Sequence, residues 1–197
     1  FRLKLPAPME VVLIPFIAVS AAILVALLAQ LINLVFPFPQ AYVEMLSKLF
    51  TMDKSILRVF LVMSVLPGIC EELLFRGFLI RFFEKYGAKT AVVISALLFA
   101  LFHLDPFRFF PVLLLGLLLG YLVVRSGSLY NGMLSHLINN GLALLLTTFG
   151  SSAWLKPLLS KGDNLHFWLA VPALLVLSAG LYAFHKVTAK GDQACAE

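Results

Sequence analysis

From Val11 to Val43 the chain carries no Asp, Glu, Lys or Arg. A helix at the surface of a soluble protein turns one face to water and fills it with charge. A run this long without charge, well beyond the roughly 20 apolar residues that cross a bilayer, reads as a membrane span. It has company. Apolar segments recur from Ile56 toward Tyr86, Thr90 to His103, Phe107 to Val124, Leu129 to Thr148 and Leu165 to His185. Composition agrees: 61% of the 197 residues are hydrophobic and 13% charged, against roughly 25% charged in soluble domains. Backbone polar groups at bilayer depth have no water to bond, so each segment must satisfy its own as a helix. The expected fold is an all-α, polytopic transmembrane bundle of about six helices.

The chain reads as a single membrane domain, 1–197. Residues 1–54 supply the first helix, ended near Pro37 and Pro39, and an interfacial stretch carrying Glu44, Lys48, Asp53 and Lys54. Residues 55–148 carry the polar motifs; 149–197 are a polar connector, Gly150 to Asn164, and a last helix. Lys and Arg place both termini in the cytoplasm, with Arg81, Lys85 and Lys89 as the main anchor. Gly116 and Gly120, and Ala96 and Ala100, are small pairs that let helices approach. A net charge of +5 without a basic run gives no nucleic-acid footprint. Cys70 and Cys195 make no disulfide framework, and Cys70 is expected to be a small buried thiol. The chain opens on Phe1 rather than Met, so its native start is expected further upstream.

Three segments hold polar residues where a membrane helix should have none. Glu71, Glu72 and Arg76 fall in the second, His103 at the far part of the third, and His136, Asn139 and Asn140 in the fifth. A charge at a helix centre costs about 2.5–3.5 kcal/mol on insertion scales, so such residues mark function. Glu72 and Arg76, four apart, share a face and can pair. Glu71 is rotated by about 100° and lacks that partner. Pro67 and Gly68 predict a kink just before it. Counted from the helix ends at about 1.5 Å per residue, Glu71, His103, His136 and Asn140 can meet near mid-membrane in a cavity.

A carboxylate withdrawn from water suits general-base work, a histidine can hold a water beside it, and a histidine with an amide can stabilise an oxyanion. Glu, His, His and Asn are thus the parts for water attacking a carbonyl. Ser64, Ser95, Ser126 and Ser135 lack a G-x-S-x-G setting. Glu71, His103 and His136 could instead be three ligands of an open zinc site, although no H-E-x-x-H is present. A proton path or transporter would also use buried Glu and His, but no internal repeat relates the two halves. A catalytically silent scaffold or immunity protein is the remaining alternative.

Glu71 to Arg76 reads E-E-x-x-x-R, Phe99 to His103 reads F-x-x-x-H, and His136 to Asn140 reads H-x-x-x-N. In this order, on separate membrane helices, they resemble the CPBP family of intramembrane glutamic proteases, which includes the CAAX prenyl endopeptidases. The resemblance spans about Ser55 to Thr148. It implies an endopeptidase in which Glu71 and His103 activate water, His136 and Asn140 form the oxyanion site, and Glu72 and Arg76 support it. Asn139 sits one residue before the matching position. The resemblance implies no metal cofactor, although the family was long treated as metal-dependent. It implies a peptide or membrane-protein substrate, lipidated in the CAAX case, membrane lipids as surroundings, and a multi-pass place in a prokaryotic plasma membrane.

Overall fold

The computed structural model describes residues 2–50, 53, 55–149, 160–161 and 164–194. Helix α1 is Pro8–Val35 and α2 is Gln40–Phe50. Helix α3 runs over 56–83. Then come α4 (Ala88–Phe102), α5 (Phe109–Ser126), α6 (Leu129–Phe149) and α7 (Ala170–Ala194). A two-residue ladder pairs Ser160–Lys161 with Asn164–Leu165. Each expected apolar segment is helical, and the interfacial stretch contributes α2. Among the described residues three helices are long and apolar enough to cross a membrane, Pro8–Val35, Phe109–Ser126 and Phe167–Ala189; Ala88–Phe102 is a shorter apolar helix. Helices α3 and α6 carry most of the polar motifs. The protein is an all-α membrane bundle.

Where the kink is expected, before Glu71, the helix changes the width of its turn. Helix α3 stays continuous but widens into π-helix over Leu61–Val65, where the Leu66 N–H reaches back five residues to the Leu61 carbonyl. The missing Pro67 donor is absorbed by that wider turn. A second π-helical stretch, Leu73–Leu79, follows Glu72 and carries Arg76.

Two sets of contacts tie the helix ends. At one end Arg2 pairs with Glu84, Leu3 bridges Ser128, and the Leu129 N–H donates to the Arg2 carbonyl at 2.7 Å. At the other, Gln30 exchanges hydrogen bonds with the Leu165 backbone at 2.8 and 3.1 Å, and Tyr42 donates to Asp105 at 2.7 Å. Ile14 and Ile17 of α1, Leu122 of α5 and Phe184 of α7 form a fully buried core. Helices α4 and α5 meet through the small residues: a Cβ on Gly116 would lie 3.1 Å from the Ala96 Cα, and one on Gly120 2.8 Å from Val92. The outside is apolar, with Leu57, Phe78, Leu174 and Leu175 exposed as befits a lipid-facing surface.

Cys70 corrects an expectation: it is exposed rather than buried. It falls on the outward side of α3, among exposed Leu66, Ile69 and Leu73. The last helix runs past His185, whose ring meets the Tyr121 hydroxyl at 3.2 Å. Most of the expected connector, and Cys195, lie outside the described residues.

Candidate active site

Glu72 ends an α-helical turn of α3, and the π-helical stretch after it returns Arg76 toward it. Both side chains have no exposed surface, and Arg76 Nη1 donates to Glu72 Oε1 at 2.7 Å. Arg76 Nη2 donates to the Gly116 carbonyl at 3.1 Å, and its guanidinium lies 4.3 Å from the centre of the Phe99 ring. The charges of Glu72 and Arg76 thus cancel within the bundle, with a backbone acceptor and a π-face as further support.

Glu72 Oε1 also takes a hydrogen bond from His136 Nδ1 at 2.9 Å. With its proton on Nδ1, His136 presents Nε2 on its other side, 3.8 Å from Glu71 Oε2. His103 caps α4, and its Nδ1 bonds the Phe99 carbonyl at 2.8 Å, which leaves Nε2 as an acceptor. The Phe99 ring packs edge-on against both imidazoles, with centroids 4.8 Å from His103 and 5.8 Å from His136. On α6, Asn139 Nδ2 donates to Asn140 Oδ1 at 3.2 Å, so the Asn140 amide keeps its own N–H groups for another partner.

Glu71, His103, His136, Asn139 and Asn140 line one cavity of about 370 Å³, together with Phe99. Helix α1 gives it an apolar side of Ala22, Val25, Ala26 and Ala29. Glu71 is the one carboxylate and Arg108 the one Lys or Arg among the lining residues. Glu72 and Arg76 sit behind this surface and do not line it. Neither Cys70 nor any of Ser64, Ser95, Ser126 and Ser135 does either. Among the described residues no three His, Cys, Asp or Glu side chains are grouped to hold one metal ion.

Several participants had no motif to announce them. Gly132 stands one turn before His136 on α6, and a Cβ there would lie 2.7 Å from Glu72 Oε2 and 2.6 Å from a Val123 methyl. Its signal is a glycine four residues before a deep histidine. Glu10 of α1 is buried and accepts from Asn131 Nδ2 of α6 at 2.6 Å. Next to the cavity-lining Arg108, Asp105 accepts hydrogen bonds from Tyr42 and Arg108. Burial opposes the charge on Asp105, but the hydrogen bonds from Tyr42 and Arg108 outweigh it and hold the carboxyl below its usual value. Burial and that same hydrogen bond push the Tyr42 hydroxyl well above its usual value.

Residues 53–142 match the model of a protein family described as type II CAAX prenyl endopeptidase Rce1-like. This stretch is similar to that family, and it spans less than half of the chain. It contains every motif residue from Glu71 to Asn140, so the resemblance to CAAX-type proteases stands on more than the three short motifs. No curated protein and no solved structure matches the chain. An Rce1-like region on a bundle of long apolar helices makes this an integral membrane protein. It supports CAAX-type peptidase function with a peptide or protein as substrate.

Proposed function

We propose that the protein is an intramembrane endopeptidase that hydrolyses a peptide bond with a water activated by Glu71 and His103. The observation that carries this reading is the cavity: four side chains from three helices line it, and the two imidazoles are each fixed through Nδ1. A water held between the Glu71 carboxylate and His103 Nε2 gives its proton to Glu71 as its oxygen adds to the scissile carbonyl. The oxyanion that forms accepts hydrogen bonds from the Asn140 amide and from Nε2 of His136 in its doubly protonated form. Glu72 stabilises that imidazolium from the Nδ1 side. The intermediate then collapses, the C–N bond breaks, and the proton on Glu71 passes to the leaving amine. General-base assistance of this kind supplies about 10²–10⁴-fold, and each oxyanion donor about 10²–10³-fold.

No metal enters this mechanism. The residues lining the cavity include a base and oxyanion donors that carry the reaction without one. The apolar side on α1 suits an apolar peptide presented from the bilayer of a prokaryotic plasma membrane, lipidated where the substrate is of the CAAX type. The test is cleavage of such a peptide by Asn140→Ala and His103→Ala beside wild type. The mechanism expects kcat lower by about 10²-fold in each, with KM little changed and the bundle folded. A variant with wild-type kcat removes its residue from the proposed role.

A further inference from the structure

His103 ends α4, and Leu104 turns the chain out of it. Leu104 has a φ of 50°, and among the described residues it is the one non-glycine with a positive φ. The left-handed region crowds a Cβ and is uncommon for any residue that carries one. Packing does not hold the leucine there, because Leu104 is 90% exposed. A strained backbone of this kind persists only where its surroundings fix it. The Leu104 N–H donates to the Leu101 carbonyl at 3.0 Å, which closes the last turn of α4 around His103. Whatever fixes Leu104 therefore also fixes a cavity-lining imidazole.

Asp105 is the next residue. Its Oδ1 accepts the backbone N–H groups of Phe107 and Arg108 at 3.1 and 3.2 Å. Its charge is answered by Arg108, whose Nε donates to Oδ2 at 2.6 Å. These contacts are local and travel with the loop. The Tyr42 hydroxyl, which donates to Oδ2 at 2.7 Å, comes instead from α2. The Tyr42 and Phe38 rings pack on Phe107, with centroids at 4.7 and 5.0 Å. The corner that carries them is tied to α1, where Asn33 Oδ1 accepts the Phe38 N–H at 2.7 Å. Helix α1 is itself one side of the cavity. A chain of contacts thus runs from α1 through Tyr42 and Asp105 to the strained turn and His103. Resting on the proteolytic reading, we propose that Tyr42 is a positioning residue for His103: its hydrogen bond to Asp105 holds Leu104 at positive φ and so keeps the imidazole in place at the cavity. Without that bond the turn relaxes to negative φ, the last turn of α4 frays, and the His103 ring loses its fixed position.

The experiment uses the full chain in detergent. Tyr42→Phe keeps the ring stack and removes only the hydroxyl. Its kcat on an apolar or lipidated peptide should fall about tenfold with KM little changed. Leu104→Gly takes positive φ without the Cβ penalty, so it should turn over near the wild-type rate. Added to Tyr42→Phe, it should restore most of the lost kcat, because the turn no longer needs the hydroxyl to hold it. A second readout needs no turnover. In nitrogen NMR of histidine-labelled protein, the His103 signal is assigned by its loss in His103→Gln. It should shift or broaden in Tyr42→Phe and return in the double variant, while His136, bonded to Glu72, keeps its signal. An unmoved His103 signal in Tyr42→Phe overturns the proposal, as does wild-type kcat in that variant. A loss that Leu104→Gly fails to restore also overturns it, and would leave Tyr42 a packing residue. If wild type cleaves no peptide but the His103 signal follows Tyr42 and Leu104 in this way, the positioning stands and the proteolytic reading falls.

Discussion

Gly132→Ala puts a single methyl group into the buried polar cluster. The new Cβ would lie 2.7 Å from Glu72 Oε2 and 2.6 Å from a Val123 methyl, both inside van der Waals contact. The carboxylate cannot withdraw freely, because its other oxygen is held by Arg76 at 2.7 Å and His136 at 2.9 Å. A shift of several tenths of an ångström must lengthen one of those bonds. Overpacking costs about 1–3 kcal/mol and a weakened charge-assisted hydrogen bond up to about 1.5–3 kcal/mol. The better helix propensity of alanine returns about 1 kcal/mol. A net loss of about 2 kcal/mol would lower the Tm by roughly 5 °C in a chain of this size. If the bond that yields is His136 to Glu72, the imidazole loses its anchor and kcat falls by about 10²-fold. The assay is thermal unfolding and peptide cleavage in detergent, with Gly120→Ala as comparison. That variant overpacks Val92 at 2.8 Å, away from the polar cluster, and should lose stability while keeping turnover. Wild-type kcat in Gly132→Ala, or an equal loss in Gly120→Ala, would refute the reasoning.

Two other perturbations follow from the same geometry. Arg76→Lys keeps the charge beside Glu72 but gives up the hydrogen bond to the Gly116 carbonyl and the planar contact with Phe99; we expect about 2 kcal/mol of destabilisation, read by thermal unfolding. The Asp105 carboxyl is held below its usual value, so its contribution is fully present above the ordinary Asp range and is lost as pH falls from there through the lower folded value. Asp105→Asn should therefore flatten the acid limb of a stability-against-pH profile, and an unchanged limb would show that the Tyr42 and Arg108 hydrogen bonds to Asp105 add nothing to stability.

Much of this was legible in the residues, for physical reasons. Uncharged runs and the cost of exposed backbone in lipid fix helices and their approximate ends, so all the apolar segments are helical as expected. The Glu72–Arg76 pair was readable because four-residue spacing stacks side chains on a helix face. That Glu71 leaves the Glu72–Arg76 pair and lines the cavity follows from the same rotation. The π-helical turns were not legible, since a proline marks a lost donor but not how the helix absorbs it. Cys70 misled because an apolar neighbourhood signals burial only in water; in a membrane the apolar side faces lipid. Gly132, Glu10 with Asn131, and Tyr42 with Asp105 depend on which helices and loops touch, and spacing within one helix is silent on that.

Glu71→Gln tests the central claim most directly. Among the described residues Glu71 makes no ion pair closer than the 3.8 Å approach to His136, and its side chain is partly exposed in the cavity, so the amide should leave unfolding nearly unchanged. Cleavage of an apolar or lipidated peptide should vanish in the variant, while wild-type cleavage persists in a strong chelator. Cleavage by Glu71→Gln at the wild-type rate would contradict the glutamate mechanism, and wild-type activity lost to chelator and restored by zinc would contradict its metal-free form.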